Sequence, residues 1–377
     1  MSDQRRHARW FAPTLVLMAL LGVASATRAD ITSDQPAAIL VFPMIAVSGD
    51  DCLDTLIQVS NTSNQPVNVR CFYVNANSHC TNSGRVCSSG AECGGGLCLP
   101  DWNETDFRIR ITPRQPLAWV ASKGLRRCAP NEIPSDICIP LDGRIRRGPG
   151  GQSNVPTHVP PVAEDPFVGE LKCIAVDDED HPVERNVLVG STTTEEVCQR
   201  GCLDVTRHNA IGILAIPGAN NGDNRLVLGE EYNACPNTLI LNHFFDGAVD
   251  PVTNDPIEGL LALVPCSEDF VLQDQNLAKV IAQFLVFNEF EQRFSTSTTV
   301  QCFLSLPLSS IDTTQPNRSI FSVGVSGTLV GQTRIHGVGA AGHGLLGVFF
   351  DSHGNRSTAA NLHFQGVSDH VDIINLP

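Results

Sequence analysis

Fourteen cysteines carry most of the reactive chemistry in this 377-residue sequence. Four of them, Cys80, Cys87, Cys93 and Cys98, sit in a stretch of Ser, Gly and Asn with almost no apolar residues. Such a stretch cannot build a core, so crosslinks must hold its shape. Three pairings are open, and the interlaced one, Cys80 with Cys93 and Cys87 with Cys98, is expected. The rival is a zinc site with four thiolates. It wants a CxxC knuckle, which is missing here, and a reducing compartment. Cys128 and Cys138 are close enough in sequence to close a local loop. The order of Cys173, Cys198, Cys202 and Cys235 stays open.

Carboxylates are the next candidates, because calcium needs several oxygen ligands from a tight loop. Asp177, Asp178 and Asp180 lie in the run DDEDH, and Asp246, Asp250 and Asp255 lie in DGAVDPVTND. None fits the EF-hand spacing, and DDEDHP reads equally as a solvated turn. His336, His343, His353, His363 and His370 gather late in the chain without the HExxH spacing that puts two imidazoles on one helical face. No G-x-S-x-G elbow presents a nucleophile. A hydrolase built on two separated carboxylates stays open, since one sequence does not reveal such a pair. No cofactor motif is present, so calcium is the sole cofactor considered. Trp102, beside the cysteine-rich stretch, is the one candidate for an exposed aromatic platform.

These residues must be held by short elements. Runs such as AILVFPMIAV, DTLIQVSN, VNVRCFYV and DFRIRI alternate or are β-branched, and Gly, Pro, Asn and Asp clusters separate them. That is the strand pattern, and an all-β sandwich is the cheapest way to bury one face of so many short strands. The segment 276–292 contains good helix formers as well, so its periodicity alone is ambiguous.

Two internal matches suggest a duplication. LIQVSNTSNQPVNVRCF, ending at Phe72, resembles FLVFNEFEQRFSTSTTVQCF, ending at Phe303, with Asn61 matched to Asn288. GELKCIAV from Gly169 resembles GLLGVFF from Gly344, each followed 17 positions later by Asn186 or Asn361. The expected organisation is therefore two related Ig-like β-sandwich units: residues 30–191 and 236–377, with 192–235 connecting them. The first unit carries long insertions, a Cys-rich one at 80–98 and a flexible loop at 126–166. On this register Cys52 pairs with Cys71 and Cys266 with Cys302. The segment VSNTSNQPVNVRCF resembles the strand-turn-strand hairpin of exported bacterial Ig-like domains, a likeness that covers one hairpin and implies a sandwich fold.

The first residues have the grammar of a secretory signal: Arg5, Arg6 and Arg9, an apolar run from Leu15 to Ala26, and a small-residue site ending at Ala29. That run is too short for the ~20 residues of a membrane-spanning helix, so no integral membrane anchor is expected. A net charge of −15 argues against nucleic acid as a partner. The expectation is an exported, extracellular or periplasmic protein with a binding, adhesive or structural role. Its partner is an extracellular protein or polysaccharide, met by Trp102, Arg144, Arg146 and Arg147 on the insertions of the first unit. The alternative is an extracellular hydrolase or a calcium-dependent ligand-binding protein.

Overall fold

The computed structural model describes residues 31–100, 102–127, 138–139, 158–197, 203–272, 277–339 and 342–377. The expected signal segment, Arg144, Arg146, Arg147 and the expected Cys128–Cys138 link lie outside the described residues.

Among the described residues, eighteen strands build four large sheets. The first nine are β1 (Ile39–Val47), β2 (Leu53–Asn61), β3 (Val67–Asn75), β4 (Glu104–Ile111), β5 (Pro116–Val120), β6 (Phe167–Val176), β7 (Leu188–Val197), β8 (Leu203–Asn209) and β9 (Ile211–Ile213). The second nine are β10 (Thr238–Phe244), β11 (Ile257–Pro265), β12 (Lys279–Asn288), β13 (Arg293–Gln301), β14 (Leu304–Pro307), β15 (Val330–Val338), β16 (Leu345–His353), β17 (Arg356–Asn361) and β18 (His363–Gln365). Sheet A has the order β9-β1-β6-β3-β4 and sheet B the order β8-β7-β2-β5. Sheet A′ runs β18-β10-β15-β12-β13 and sheet B′ runs β17-β16-β11-β14. All neighbours are antiparallel. Adding nine to any strand number in A or B gives the strand at the same place in A′ or B′. The chain therefore contains one nine-strand topology twice.

The four sheets stack in the order B, A, B′, A′, with a core in each gap. Leu40, Phe42, Ile57 and Trp119 fill the gap between A and B. Ile39, Val41, Phe72, Val264 and Val348 fill that between A and B′. Leu261, Phe284, Phe321 and Ile335 fill that between B′ and A′. The sequence anticipates these layers. Every residue of β1 is buried, as a strand covered on both faces requires, whereas β12 alternates exposed and buried residues over most of its length. Within β1 the register shifts between Phe42 and Ile45. Pro43, which has no N–H to offer a ladder, lies inside that bulge. A small three-stranded sheet ties the units together: Asp372–Asn375 pairs antiparallel with Arg225–Leu228 and parallel with Glu268–Asp269.

These pairings correct three expectations. Residues 192–197 and 203–213 are not connecting segment: β7, β8 and β9 pair with β2 and β1 and complete the first pair of sheets. VSNTSNQPVNVRCF is not a hairpin, because β2 lies in sheet B and β3 in sheet A. The duplication is displaced by one strand from the matches read in the sequence. Asn75 lies opposite Gly169, and Asn288 lies opposite Gly331, so the counterpart of Asn288 is Asn75 rather than Asn61. At both glycines a Cβ would collide, with the Val74 carbonyl oxygen at 1.9 Å or the Phe245 ring at 2.6 Å. Both asparagines accept a hydrogen bond from the N–H two residues on, and both reach across the sandwich end with Nδ2. Asn75 donates to Glu164 Oε1 (2.5 Å) and Asn288 to the Ser326 carbonyl (2.7 Å).

The disulfides follow this corrected register. Cys71 bonds Cys173, its direct cross-strand neighbour in sheet A. Cys80 bonds Cys93 and Cys87 bonds Cys98, the interlaced pattern that excludes a tetrathiolate zinc site. Cys235 bonds Cys266. Cys52 and Cys302 are free thiols, so the expected Cys52–Cys71 and Cys266–Cys302 links are absent. The reason is geometric. Cys71 is in mid-strand, facing the gap between A and B, whereas Cys52 sits in the turn before β2.

Candidate interaction surface

The acidic candidates each meet nearby protein groups. Asp177 Oδ1 accepts the N–H groups of Glu179 and His181, both at 2.9 Å. Asp178 accepts from Asn68 Nδ2 (2.8 Å) and Arg110 (3.2 Å). Those bonds, with Arg108 nearby, hold its carboxyl below the usual range. Asp180 pairs with Arg108 at 3.0 Å. The run DDEDH is thus a turn neutralised by two arginines of β4. Asp246 accepts from the Gly259 and Ser309 N–H groups, and Asp255 faces Arg356 at 3.5 Å. Among the described residues, the clusters of ligand atoms are Cys80, Cys87 and Cys93, and Cys235, Cys266 and Asp372. Their sulfurs are already spent in disulfides.

Trp102 is not a platform. It is 8% exposed and packs in the core between the two units, its Nε1 buried without a partner. The Cys-rich insertion does protrude. It forms a three-stranded sheet of Ser78–Cys80, Val86–Cys87 and Cys98–Pro100, with Leu97 64% exposed. Its base is fastened by Glu164, which accepts from Asn75, Asn77 and His79. Those bonds overcome burial and keep the Glu164 carboxyl below its usual range.

A second group of exposed apolar side chains went unread in the sequence. β10 and β12 end, and β15 begins, at one end of the second sandwich. The loops there carry Val252 (86% exposed), Phe290 (72%), Leu329 and Val325. These loops are braced. Asn288 caps its own turn, and Glu289 accepts from the Leu329 N–H. Asp250 accepts first from the Val252 N–H (2.7 Å) and then from His353 Nδ1 (2.7 Å), which pulls its carboxyl down to about 2. The other nitrogen of His353 meets Asp351 at 3.2 Å. Burial disfavours the imidazolium, but the two carboxylates outweigh it and raise the His353 pKa.

Beside these loops lies a depression of about 600 Å³. Phe244 and Phe287 line it together with Glu289, Glu291 and Asp351. Asp351 Oδ1 is buried there without a hydrogen-bond partner, and burial raises the Asp351 pKa. An apolar floor with three carboxylates suits a cationic group on an apolar stem, the shape of a lysine or arginine side chain. The sequence signal was NEFEQ, a phenylalanine between two glutamates in a four-residue turn, where an apolar side chain has no core to enter.

Buried polar groups elsewhere serve the fold. Lys172 is wholly buried between the units and donates to Glu170 Oε1 (2.9 Å), to Glu268 and to the Pro265 carbonyl. Burial, then the Glu268 charge, pushes the Glu170 pKa well up. No family model, no curated protein and no solved structure matches the chain. No helix among the described residues is long and apolar enough to cross a membrane.

Proposed function

We propose that the chain is an exported, non-enzymatic binding protein of adhesive or structural character, and that it grips its partner with the loop end of the second sandwich. The observation that carries this reading is Phe290, 72% exposed between Glu289 and Glu291 at the rim of the acid-lined depression. Loops on a rigid scaffold are where recognition residues collect. An exposed aromatic beside a desolvated pocket is the usual anchor of an interface. Its partner is an extracellular protein segment bearing a lysine or arginine flanked by apolar residues. Disulfides spread over both units fit an oxidising compartment.

Fluorescence anisotropy with paired peptides, one alternating Arg and Leu and one alternating Glu and Leu, tests this. The basic peptide should bind, and raised salt should weaken it. The Phe290→Ser/Glu291→Gln variant should weaken binding at least ~10-fold at an unchanged melting temperature, since both side chains lie in the exposed turn. Equal binding of both peptides, or an unaffected variant, refutes the reading. A melting temperature that rises with calcium and falls with EDTA would favour the calcium-dependent ligand binder instead.

A further inference from the structure

Among the described residues, the stacking order B, A, B′, A′ leaves two faces uncovered, and they are of the same two kinds that meet inside the molecule. Within the chain, the outer face of sheet A packs on that of B′. The outer face of A′, the counterpart of A, and that of B, the counterpart of B′, are turned to solvent. We propose that these free faces bind each other between copies of this chain, head to tail, repeating the internal contact.

The register fixed by Asn75–Gly169 and Asn288–Gly331 matches the two A-type faces residue by residue. Phe72, Val74 and Val176, which pack between the units, correspond to Leu285, Phe287 and Val338. Val41 corresponds to Ile240, because Val41 lies opposite Lys172 and Ile240 opposite Arg334. These four positions stay apolar on the free face, although Ile39 and Ile174 give way to Thr238 and His336. A half-apolar face of this kind matches a reversible interface rather than a core.

Charge points the same way. In a chain of net charge −15, the free face of A′ carries exposed Lys279, Arg293 and Arg334. The free face of B presents Asp54 and Glu195 side by side, with Arg207 farther along the face. Inside the chain, the counterpart of Arg334 is Lys172, and its charge is answered by Glu268 from the neighbouring unit. Between copies, the carboxylates of sheet B take that part. A groove of about 550 Å³ lined by Gln58, Pro116, Val189 and Arg207 crosses the same face of B. A contact between unlike faces leaves each bound copy with one face still free, so it adds copies in series into chains or rings.

This goes beyond the loop-end reading and uses the sheet faces beside it. Sedimentation velocity tests it, at low salt and up to about 100 μM, a range that reveals micromolar contacts. The wild type should sediment as a concentration-dependent series. Leu285→Glu/Arg334→Glu breaks one face and Glu195→Lys/Val205→Lys the other. Each alone should be monomeric, with association weakened at least ~10-fold, and the two mixed should associate again through their intact faces. All four positions lie on outward faces, and an unchanged melting temperature confirms the fold. A monomeric wild type overturns the proposal. So does a Glu195→Lys/Val205→Lys variant that still dimerises, or a mixture that stays monomeric. The peptide assay on dilute protein is independent of each of these outcomes.

Discussion

Sheets A and A′ share one topology, and they differ in what covers them. Sheet A lies between two cores and is buried on both faces; sheet A′ has one face in solvent. The difference is written at corresponding positions. Cys71 and Cys173 in sheet A stand where sheet A′ places Phe284 and Ile335, each pair directly opposed across its strands. Lys172, wholly buried, stands where Arg334 is exposed, and Glu170 stands where Gln332 is half-exposed. A shared backbone plan thus tolerates either a crosslink or an apolar pair at its centre. The buried cation meets one carboxylate from its own strand, Glu170, and one from the second unit, Glu268.

The largest way to break this comparison is to remove the crosslink. Cys71 and Cys173 are 102 residues apart in the chain, and closing a loop of that size stabilises by about 4–5 kcal/mol in the chain-entropy view. Cys71→Ala/Cys173→Ala should lose about that much in a urea titration, with the strand signal in circular dichroism retained. A loss under about 1 kcal/mol would show that the opposed apolar surfaces suffice in sheet A as they do in A′.

Next comes the cation. Lys172→Ala leaves Glu170 and Glu268 facing each other in a dry interface and should cost about 3–5 kcal/mol. Arg334→Ala, at the matched exposed position, should stay within about 0.5 kcal/mol. Equal effects in the same titration would refute the assignment of Lys172 to the joint between the units.

The smallest effect concerns a feature both sandwiches share. His208 bonds Thr192 and His243 bonds Thr333, each at 2.8 Å, and burial lowers both pKa values to about 4. An unfolded imidazole binds a proton below about pH 6.5, whereas the folded ones do so only near pH 4. The stability they supply is complete above pH 6.5 and is lost as pH falls through 4, about 2 kcal/mol each by pH 5. Gln at both positions should flatten the melting temperature between pH 6.5 and 5. An unchanged slope would assign the acid sensitivity to other groups.

Much of this architecture was legible. Alternation marks strands such as β2 and β4, whereas β12 falls in a segment whose periodicity alone is ambiguous. That crosslinks must hold the Cys-rich loop follows from four cysteines sharing one short, coreless stretch, although the choice among three pairings does not. The duplication was legible too, but its register was not, and the reason is chemical. Asn61, Asn75 and Asn288 all end a strand and all accept a hydrogen bond from the N–H two residues on. Local sequence therefore makes non-equivalent strand ends look alike. The expected partners of Cys71 and Cys266 inherited that one-strand displacement. The burial of Lys172 was invisible because it depends on Glu268, a residue of the other unit. The exposed loop end was missed for the opposite reason: strand patterns say where a side chain leaves a core, not what gathers beyond it.

The short strand Asp372–Asn375 joins elements from distant parts of the chain. Its neighbours are the linker strand Arg225–Leu228 and the pair Glu268–Asp269, while Arg70 of β3 donates to the Pro377 carbonyl at 2.7 Å. A tug on the last residues is therefore not borne by the second sandwich alone. The load passes sideways into the linker and, through Arg70, into the first sandwich. Under tension the two halves are expected to yield together rather than peel apart like beads on a string.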